Sequence, residues 1–548
     1  MRLMKRIETE AIVIGGGATG AGTLRDLTLR GVRAVLIEKS DMASGTTGRN
    51  HGLLHSGARY AVNDLESARE CIRENKILKK IARHCIEDTG GLFVTLPEDD
   101  PSYHGKLIEH CKYAGIRCEE ISVQEALRIE PNLNPNILAA LRVPDGTIDP
   151  FRLTSANVLD AQERGAIVLT HTGVSGVIRE GDRATGVNCR DRRTGEEFEV
   201  FGGIIVNASG VWGQELCASA GIALRMFPSK GSMVIIDYRI NNVVVNRCRV
   251  PSDGDIVVPG DTVSLIGTTS KKVDYDKIDE ITVDQDEIAT LLESGEKLIP
   301  NVSRTRVLRA YCGVRPLIAV SGEMDGREIS RGIVLIDHEK RDSVGGFITI
   351  AGGKLMTYRL MAEMAADLAC AKLNLKKRCR TRTTALPGSE RKLDQAKSVK
   401  FFTGIPNSVV GSTLYRHGQR IRNILHRDKR NYGLICECEM VTEGEIEYAL
   451  KKLNAKDIVD LRRRTRIGMG PCQGQLCAYR AAGLFVKYDS ATSTESNKML
   501  VDFLEERWKG IKPVLWGDAL RSVEFCYWIY QGLFGLGDVK FPEEGEDR

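Results

Sequence analysis

Four cysteines and a glycine turn are the residues of this chain whose types and spacing most clearly specify chemistry. Cys436-Glu437-Cys438 is followed, after 33 intervening residues, by Cys472-Gln473-Gly474-Gln475-Leu476-Cys477. Two close pairs of thiolates suit either a tetrahedral zinc site or the two irons of a [2Fe–2S] cluster. Gly468, Gly470 and Gly474 surround the second pair and leave backbone N–H groups free to bond sulfur. Near the start, Gly15-Gly16-Gly17-Ala18-Thr19-Gly20 follows the apolar run Ala11–Ile14, and Glu38 closes a second apolar run, Ala34-Val35-Leu36-Ile37. This is a strand, a glycine turn, a helix and a second strand ending in an acid. Gly15 permits the tight turn, Gly17 lets the backbone approach a pyrophosphate, and Gly20 lets helix and strand pack closely. The helix N-terminus offers N–H groups and a positive dipole end to the phosphates. Glu38 stands where a carboxylate accepts hydrogen bonds from a ribose hydroxyl.

The elements that must position these groups belong to an α/β protein of more than one domain. At 548 residues the chain exceeds what one core supports. Its 42% hydrophobic and 28% charged residues are those of a globular protein, and a net charge of +5 is too mild to argue for nucleic acid. No run of about 18 apolar residues offers a spanning helix, and Glu8 and Glu10 interrupt any signal-peptide core. The expectation is a protein kept inside the cell with reduced thiols. Most of its cysteines, such as Cys71, Cys85 and Cys312, should be small buried hydrophobes.

Apolar strands recur at Ile204–Val206, Met233–Ile236, Ile333–Ile336 and Phe347–Ile350, giving an α/β core with a β-rich insertion. The basic stretch Lys376–Arg380 and the turn Leu386-Pro387-Gly388-Ser389 mark a boundary. The expected division is an oxidoreductase unit over 1–386, a linker over 387–430 and a small helical four-cysteine unit over 431–548. Thr442 and Glu445 predict a capping box for a helix reaching about Leu453. The run Arg462-Arg463-Arg464-Thr465-Arg466 is expected as a solvated face. The tail Phe525–Phe534 is too short to span a bilayer and suits either docking or packing on its own domain.

The glycine fingerprint does not separate NAD from FAD. Three further segments point to flavin: Thr46–Tyr60, Ile204–Trp212 with its turn at Gly210, and Gly345–Arg359, where a strand ends in Gly352-Gly353 and a helix begins. A second helix N-terminus suits the negative charge that develops on a reduced flavin. The segments His51–Tyr60, Gly313–Leu317 and Gly352–Arg359 resemble the FAD-dependent amino-acid-oxidase-like superfamily. Within it they are similar to the respiratory glycerol-3-phosphate dehydrogenases, over roughly Thr9 to Leu386. Cys436–Glu445 resembles the bacterioferritin-associated-ferredoxin-like domain, although its namesake has a closer second pair. With the cysteine unit included, the likeness is to the anaerobic branch.

That resemblance implies an FAD-binding Rossmann-like domain with a β-rich substrate domain, oxidising sn-glycerol 3-phosphate to dihydroxyacetone phosphate. It implies two partners, a second flavoprotein subunit and a membrane-anchoring iron–sulfur subunit. It further implies electrons delivered to quinone, and a peripheral place at the cytoplasmic face of the inner membrane. FMN in the complex is implied as well, with no residue here marking its site. The resemblance assigns Arg59 and Arg315 to the substrate phosphate, for which the planar guanidinium fork is suited. Lys354 is placed at the flavin edge to bind substrate oxygen, His55 as the local base and Tyr60 beside the ring. One departure stands out: aerobic relatives follow Lys-Gly-Ser with a histidine, whereas Lys230-Gly231-Ser232 is followed here by Met233, which cannot act as a base. The cysteine ligands Cys436, Cys438, Cys472 and Cys477 serve a [2Fe–2S] relay or a structural zinc. Two other readings remain: an amine or amino-acid dehydrogenase of the same superfamily, and a non-catalytic electron-transfer subunit.

Overall fold

The computed structural model describes residues 5–318, 332–392, 394–425 and 429–538. β1 (Lys5–Ile14) lies between β2 (Ala34–Ile37) and β3 (Glu197–Asn207), parallel to both, with Ala11 opposite Ala34 and Ile204. Ala11, Ile12, Val13, Val35 and Leu36 are all buried, as expected of parallel strands covered on both faces. The sheet has eight strands, with Ile167–Leu169 beyond β2 and an antiparallel hairpin, Thr172–Glu180 and Arg183–Asp191, beyond β3.

The second sheet has nine strands and forms the β-rich insertion. Its longest pairing joins β4 (Met226–Ile236) to β5 (Val307–Ile318), antiparallel, with Ser229 opposite Arg315 and Gly231 opposite Gly313. The chain then returns to the first sheet as β6 (Phe347–Gly352), parallel to β3. α1 (Ala18–Leu29) and α2 (Tyr358–Lys372) cover one face of that sheet through Leu24, Leu27, Met361, Ala365 and Ala369.

The expected strands at Ile204–Val206, Met233–Ile236, Ile333–Ile336 and Phe347–Ile350 all form. Residues 387–430, expected as a linker, instead contain helices. Val410 and Leu414 of α3 (Asn407–His417), with Ile421 and Ile424 after it, are buried in one core with the C-terminal helices. These are α4 (Glu443–Lys452), α5 (Ile458–Thr465), α6 (Ala478–Lys487) and α7 (Ser493–Ile511), with α8 (Asp518–Tyr527) following. The capping box on α4 forms as expected: Glu445 N donates to Thr442 Oγ1 at 3.2 Å, and Thr442 N to Glu445 Oε2 at 3.0 Å. Arg416 and His417 of α3 also reach the buried Glu445, at 2.7 and 3.1 Å. That contact ties the stretch to the C-terminal unit, so amphipathic packing here overrides the low apolar content that reads as linker.

Candidate functional site

A cleft of about 1230 Å³ opens where β1, β2 and β6 end, between the two sheets. At one end the chain is shaped for close approach to a ligand. Gly15 has φ +109°, and a Cβ there would stand 2.5 Å from the Ala208 carbonyl oxygen. A Cβ on Gly20 would lie 1.9 Å from the Gly15 oxygen, so α1 seats on β1 only with glycine at that position. Gly15, Gly17, Ala18 and Thr19 line the cleft at the start of α1. Glu38 Oε2 accepts from Gly16 N at 2.6 Å and Oε1 from Ser40 N at 2.8 Å. Burial pushes its pKa up while those two N–H bonds work the other way. Across the cleft, Gly352 and Gly353 both have positive φ. A Cβ on Gly353 would meet Met361 Sδ at 2.5 Å, so the turn into α2 needs glycine. Gly210 lines the same wall. The cradle has the donors and the close backbone approaches that an FAD requires.

The other end gathers groups from four distant segments: His51, His55, Arg59, Tyr60, Met233, Arg315 and Lys354. Arg59 Nη2 donates to Asp255 Oδ2 and to the Ser252 carbonyl, both at 3.0 Å, while its buried Nη1 has no hydrogen-bond partner among the described residues. Arg315 is held by Thr268 Oγ1 at 2.9 Å, the Thr269 carbonyl at 3.0 Å, and Ser229 and Lys230 of β4. Gly231 matters here, because a Cβ would stand 2.5 Å from Arg315 Nη2. Lys354 Nζ donates to Ser67 Oγ at 2.9 Å and lies 4.5 Å from the centre of the Tyr60 ring. His55 packs edge-on against Tyr60 at 5.4 Å and His51 at 5.9 Å.

Of the named cleft residues, all but the packing glycine Gly20 line this one cavity. Sequence reasoning missed two others. His51 is held neutral, its pKa pushed down to about 3 by burial and by Arg59 and Arg315. Its Nδ1 accepts from Leu53 N at 3.2 Å, which leaves the proton on Nε2. Its place inside the His51–Tyr60 motif was the available signal. Asp255, the carboxylate that orients Arg59, lies 196 residues away and gave none.

The four cysteines converge as expected from their spacing. Cys438 Sγ is 3.7 Å from both Cys436 Sγ and Cys472 Sγ, and Cys477 also contacts Cys436 and Cys472. Neighbouring thiols, then the N–H groups of Glu439 and Gly468, push Cys436 down. Neighbouring thiols with Gly474 and Leu476 N–H act likewise on Cys472, while the same thiol contacts push Cys438 and Cys477 up. A Cβ on Gly470 would stand 2.7 Å from Cys438 Sγ. A cage of four sulfurs with N–H groups directed at Cys436 and Cys472 fits a metal–sulfur group. Tyr530 of the tail is buried and donates to the Gly474 and Gln475 carbonyls at 3.2 and 3.1 Å, while Phe525, Tyr527, Trp528 and Leu533 beside it are exposed.

The arginine run is not a solvated face. Arg462 and Arg464 are buried. Arg463 and Arg464 grip the buried Asp41 of the first unit, the former at 3.0 Å, and Arg466 reaches Glu439 at 3.0 Å. Asp41 is pulled below the usual carboxylate range by these arginines against the opposing effect of burial. Arg463, Arg464 and Arg466, the last through Asp261, thus serve domain docking, which a charge count alone does not reveal.

The sequence profile of the FAD dependent oxidoreductases matches residues 10–359, and that of the BFD-like [2Fe-2S] binding domain matches residues 434–486. One subunit of the anaerobic glycerol-3-phosphate dehydrogenase of Escherichia coli (strain K12) is 56% identical over 528 residues, covering 96% of this chain and 97% of that one. The chain belongs to the FAD-dependent glycerol-3-phosphate dehydrogenases. A more distant member of the family, the corresponding subunit of the anaerobic glycerol-3-phosphate dehydrogenase of Haloferax volcanii, is 41% identical over 95% of this chain and 89% of its own. The structure of a glycerol-3-phosphate dehydrogenase from Bacillus halodurans complexed with FAD superposes with a TM-score of 0.69, over 93% of this chain and 96% of that one, at 22% identity. L-proline dehydrogenase from P. horikoshii shares the fold over 66% of this chain and 93% of its own, with a TM-score of 0.53 and 24% identity. Among the described residues no helix is long and apolar enough to cross a membrane.

Proposed function

We propose that this chain is the catalytic subunit that oxidises sn-glycerol 3-phosphate to dihydroxyacetone phosphate, with electrons leaving through its four-cysteine unit. One observation carries the reading: at the end of the cleft opposite the dinucleotide turn, Arg59 and Arg315 face the same cavity as Lys354 and two histidines. FAD, held by the Gly15–Gly20 turn, Glu38 and the Gly352–Gly353 turn, supplies the hydride acceptor. Arg59 and Arg315 bring two positive charges from distant segments to one end of the cavity, and together they neutralise a phosphate dianion. Lys354 orients the C2 oxygen, and the Tyr60 ring face steadies its ammonium. His55 takes the C2 hydroxyl proton; His51, with its proton on Nε2, donates a hydrogen bond rather than accepting the proton. Met233 lines the same cavity and cannot act as a base, and this reading gives that role to His55 of the His51–Tyr60 segment.

In the four-cysteine unit, Cys436, Cys438, Cys472 and Cys477 hold a [2Fe–2S] group, which supplies one-electron transfer. The exposed aromatics around Tyr530 form the surface for partner subunits that pass electrons to a membrane quinone. A dye-coupled assay tests the substrate assignment: glycerol 3-phosphate should reduce the dye, while glycerol, glycine and L-proline should not. Iron and acid-labile sulfide should be present in equal amounts, and zinc without iron would refute the relay.

A further inference from the structure

A second cavity of about 510 Å³ lies across the Arg49–Gly52 segment from the cleft, and Arg49, Asn50 and His51 line both. Its far wall belongs to the C-terminal unit and includes Arg462, Arg466 and Met469, the last only three residues before Cys472. The cavity is therefore walled by both units, with the cleft on its other side. Of the acids that line this cavity, Glu87, Asp149 and Asp261 are engaged by Arg239, Arg152 and Arg466, while Asp279 and Glu280 are exposed at its mouth and Glu506 also lines it. Arg309 of β5 and Arg462 of α5 are different. Among the described residues neither guanidinium has an ion pair, and the buried Nε of each has no hydrogen-bond partner. Arg462 is 8% exposed. The nearby Glu506 is shared with Lys509 at 3.1 Å. Behind Arg462, the buried Arg507 adds a third cation, with its Nη2 also unpartnered. Burial and mutual repulsion disfavour the charge on Arg462, yet a guanidinium does not shed its proton readily. A buried cation of this kind is costly unless an anion joins it.

We propose that this second cavity binds a phosphate-bearing ligand whose phosphoryl group is held by Arg309 and Arg462. The volume is that of an ordinary small-molecule site, and paired guanidinium forks match phosphate oxygens. The assignment is independent of which substrate occupies the cleft. Inorganic phosphate, compared with chloride at matched ionic strength, is the probe. Thermal unfolding of the FAD-loaded chain reads its binding, and total phosphorus after desalting reveals a ligand already in place. The wild type and Arg59→Gln, which lacks one of the cleft's two phosphate arginines, should both show saturable stabilisation or phosphorus beyond the pyrophosphate of FAD. Arg309→Gln and Arg462→Gln should weaken the phosphate response by about 10-fold or more, or lose the excess phosphorus. Should Arg462→Gln fail to fold, the half-buried Arg309→Gln decides. A response or excess that survives these substitutions, or a wild type showing neither, overturns the proposal.

Discussion

At the scale of single residues, the cleft separates groups that bind from groups that hold them. Arg315 sits on β5 in a frame of hydroxyls and carbonyls that fixes its fork before any ligand arrives. Lysine offers a point charge and cannot fill that frame. Arg315→Lys should therefore retain FAD but lose roughly 10- to 100-fold in kcat/KM for glycerol 3-phosphate, chiefly through KM, as steady-state kinetics would show. Another residue-scale consequence concerns acid stability. His84 is buried, its Nδ1 2.7 Å from Ser389 Oγ, and burial with the nearby Arg152 pushes its pKa from 6.5 down to about 3. Between those values the unfolded chain binds a proton that the folded chain refuses. Stability should fall as pH drops below 6.5, by up to about 1.4 kcal/mol per pH unit from this histidine. Urea unfolding across that range should show the slope, and His84→Gln should reduce it, with His51 contributing the same sense of slope.

At the scale of elements, the glycine turn and the strands that flank it were legible because each carries its own signal. Parallel strands buried on both faces read as unbroken apolar runs, and Ala11–Ile14 and Ala34–Ile37 do so. The fingerprint glycines are required by local contacts that the sequence pattern encodes. Gly20→Ala should push α1 off β1 and empty the cleft of FAD, leaving purified protein with little flavin absorbance; full flavin content would contradict the packing argument. The Thr442–Glu445 box was legible for the same reason, since both partners lie within one turn. The helices inside residues 387–430 were not, because their apolar residues are few and gain meaning only against α4 to α7. Likewise the roles of Arg463 and Arg464 depend on Asp41, 422 residues away from Arg463. Asp255 behind Arg59 is the same kind of partner within the site itself. What remained illegible is what depends on long-range pairing.

At the scale of the whole molecule, two redox-type units are locked into one body by charge buried at their interface. Asp41 meets Arg463 and Arg464, and His171 meets Asp460 at 3.0 Å. Removing one partner of such a buried set costs about 3–5 kcal/mol. Asp41→Ala should thus separate unfolding into two transitions in calorimetry and expose the 387–430 stretch to protease, while a single unchanged transition would show that the arginines do not couple the units. On the proposed function, a substrate's hydride passes to flavin within this one body. Anaerobic mixing of the purified FAD-loaded chain with glycerol 3-phosphate reads that transfer without any partner subunits present. The flavin band near about 450 nm should bleach within the enzyme's turnover time, and glycine or L-proline should leave it intact. A flavin that stays oxidised with glycerol 3-phosphate, or that bleaches with an amine instead, would contradict hydride transfer from the phosphorylated alcohol.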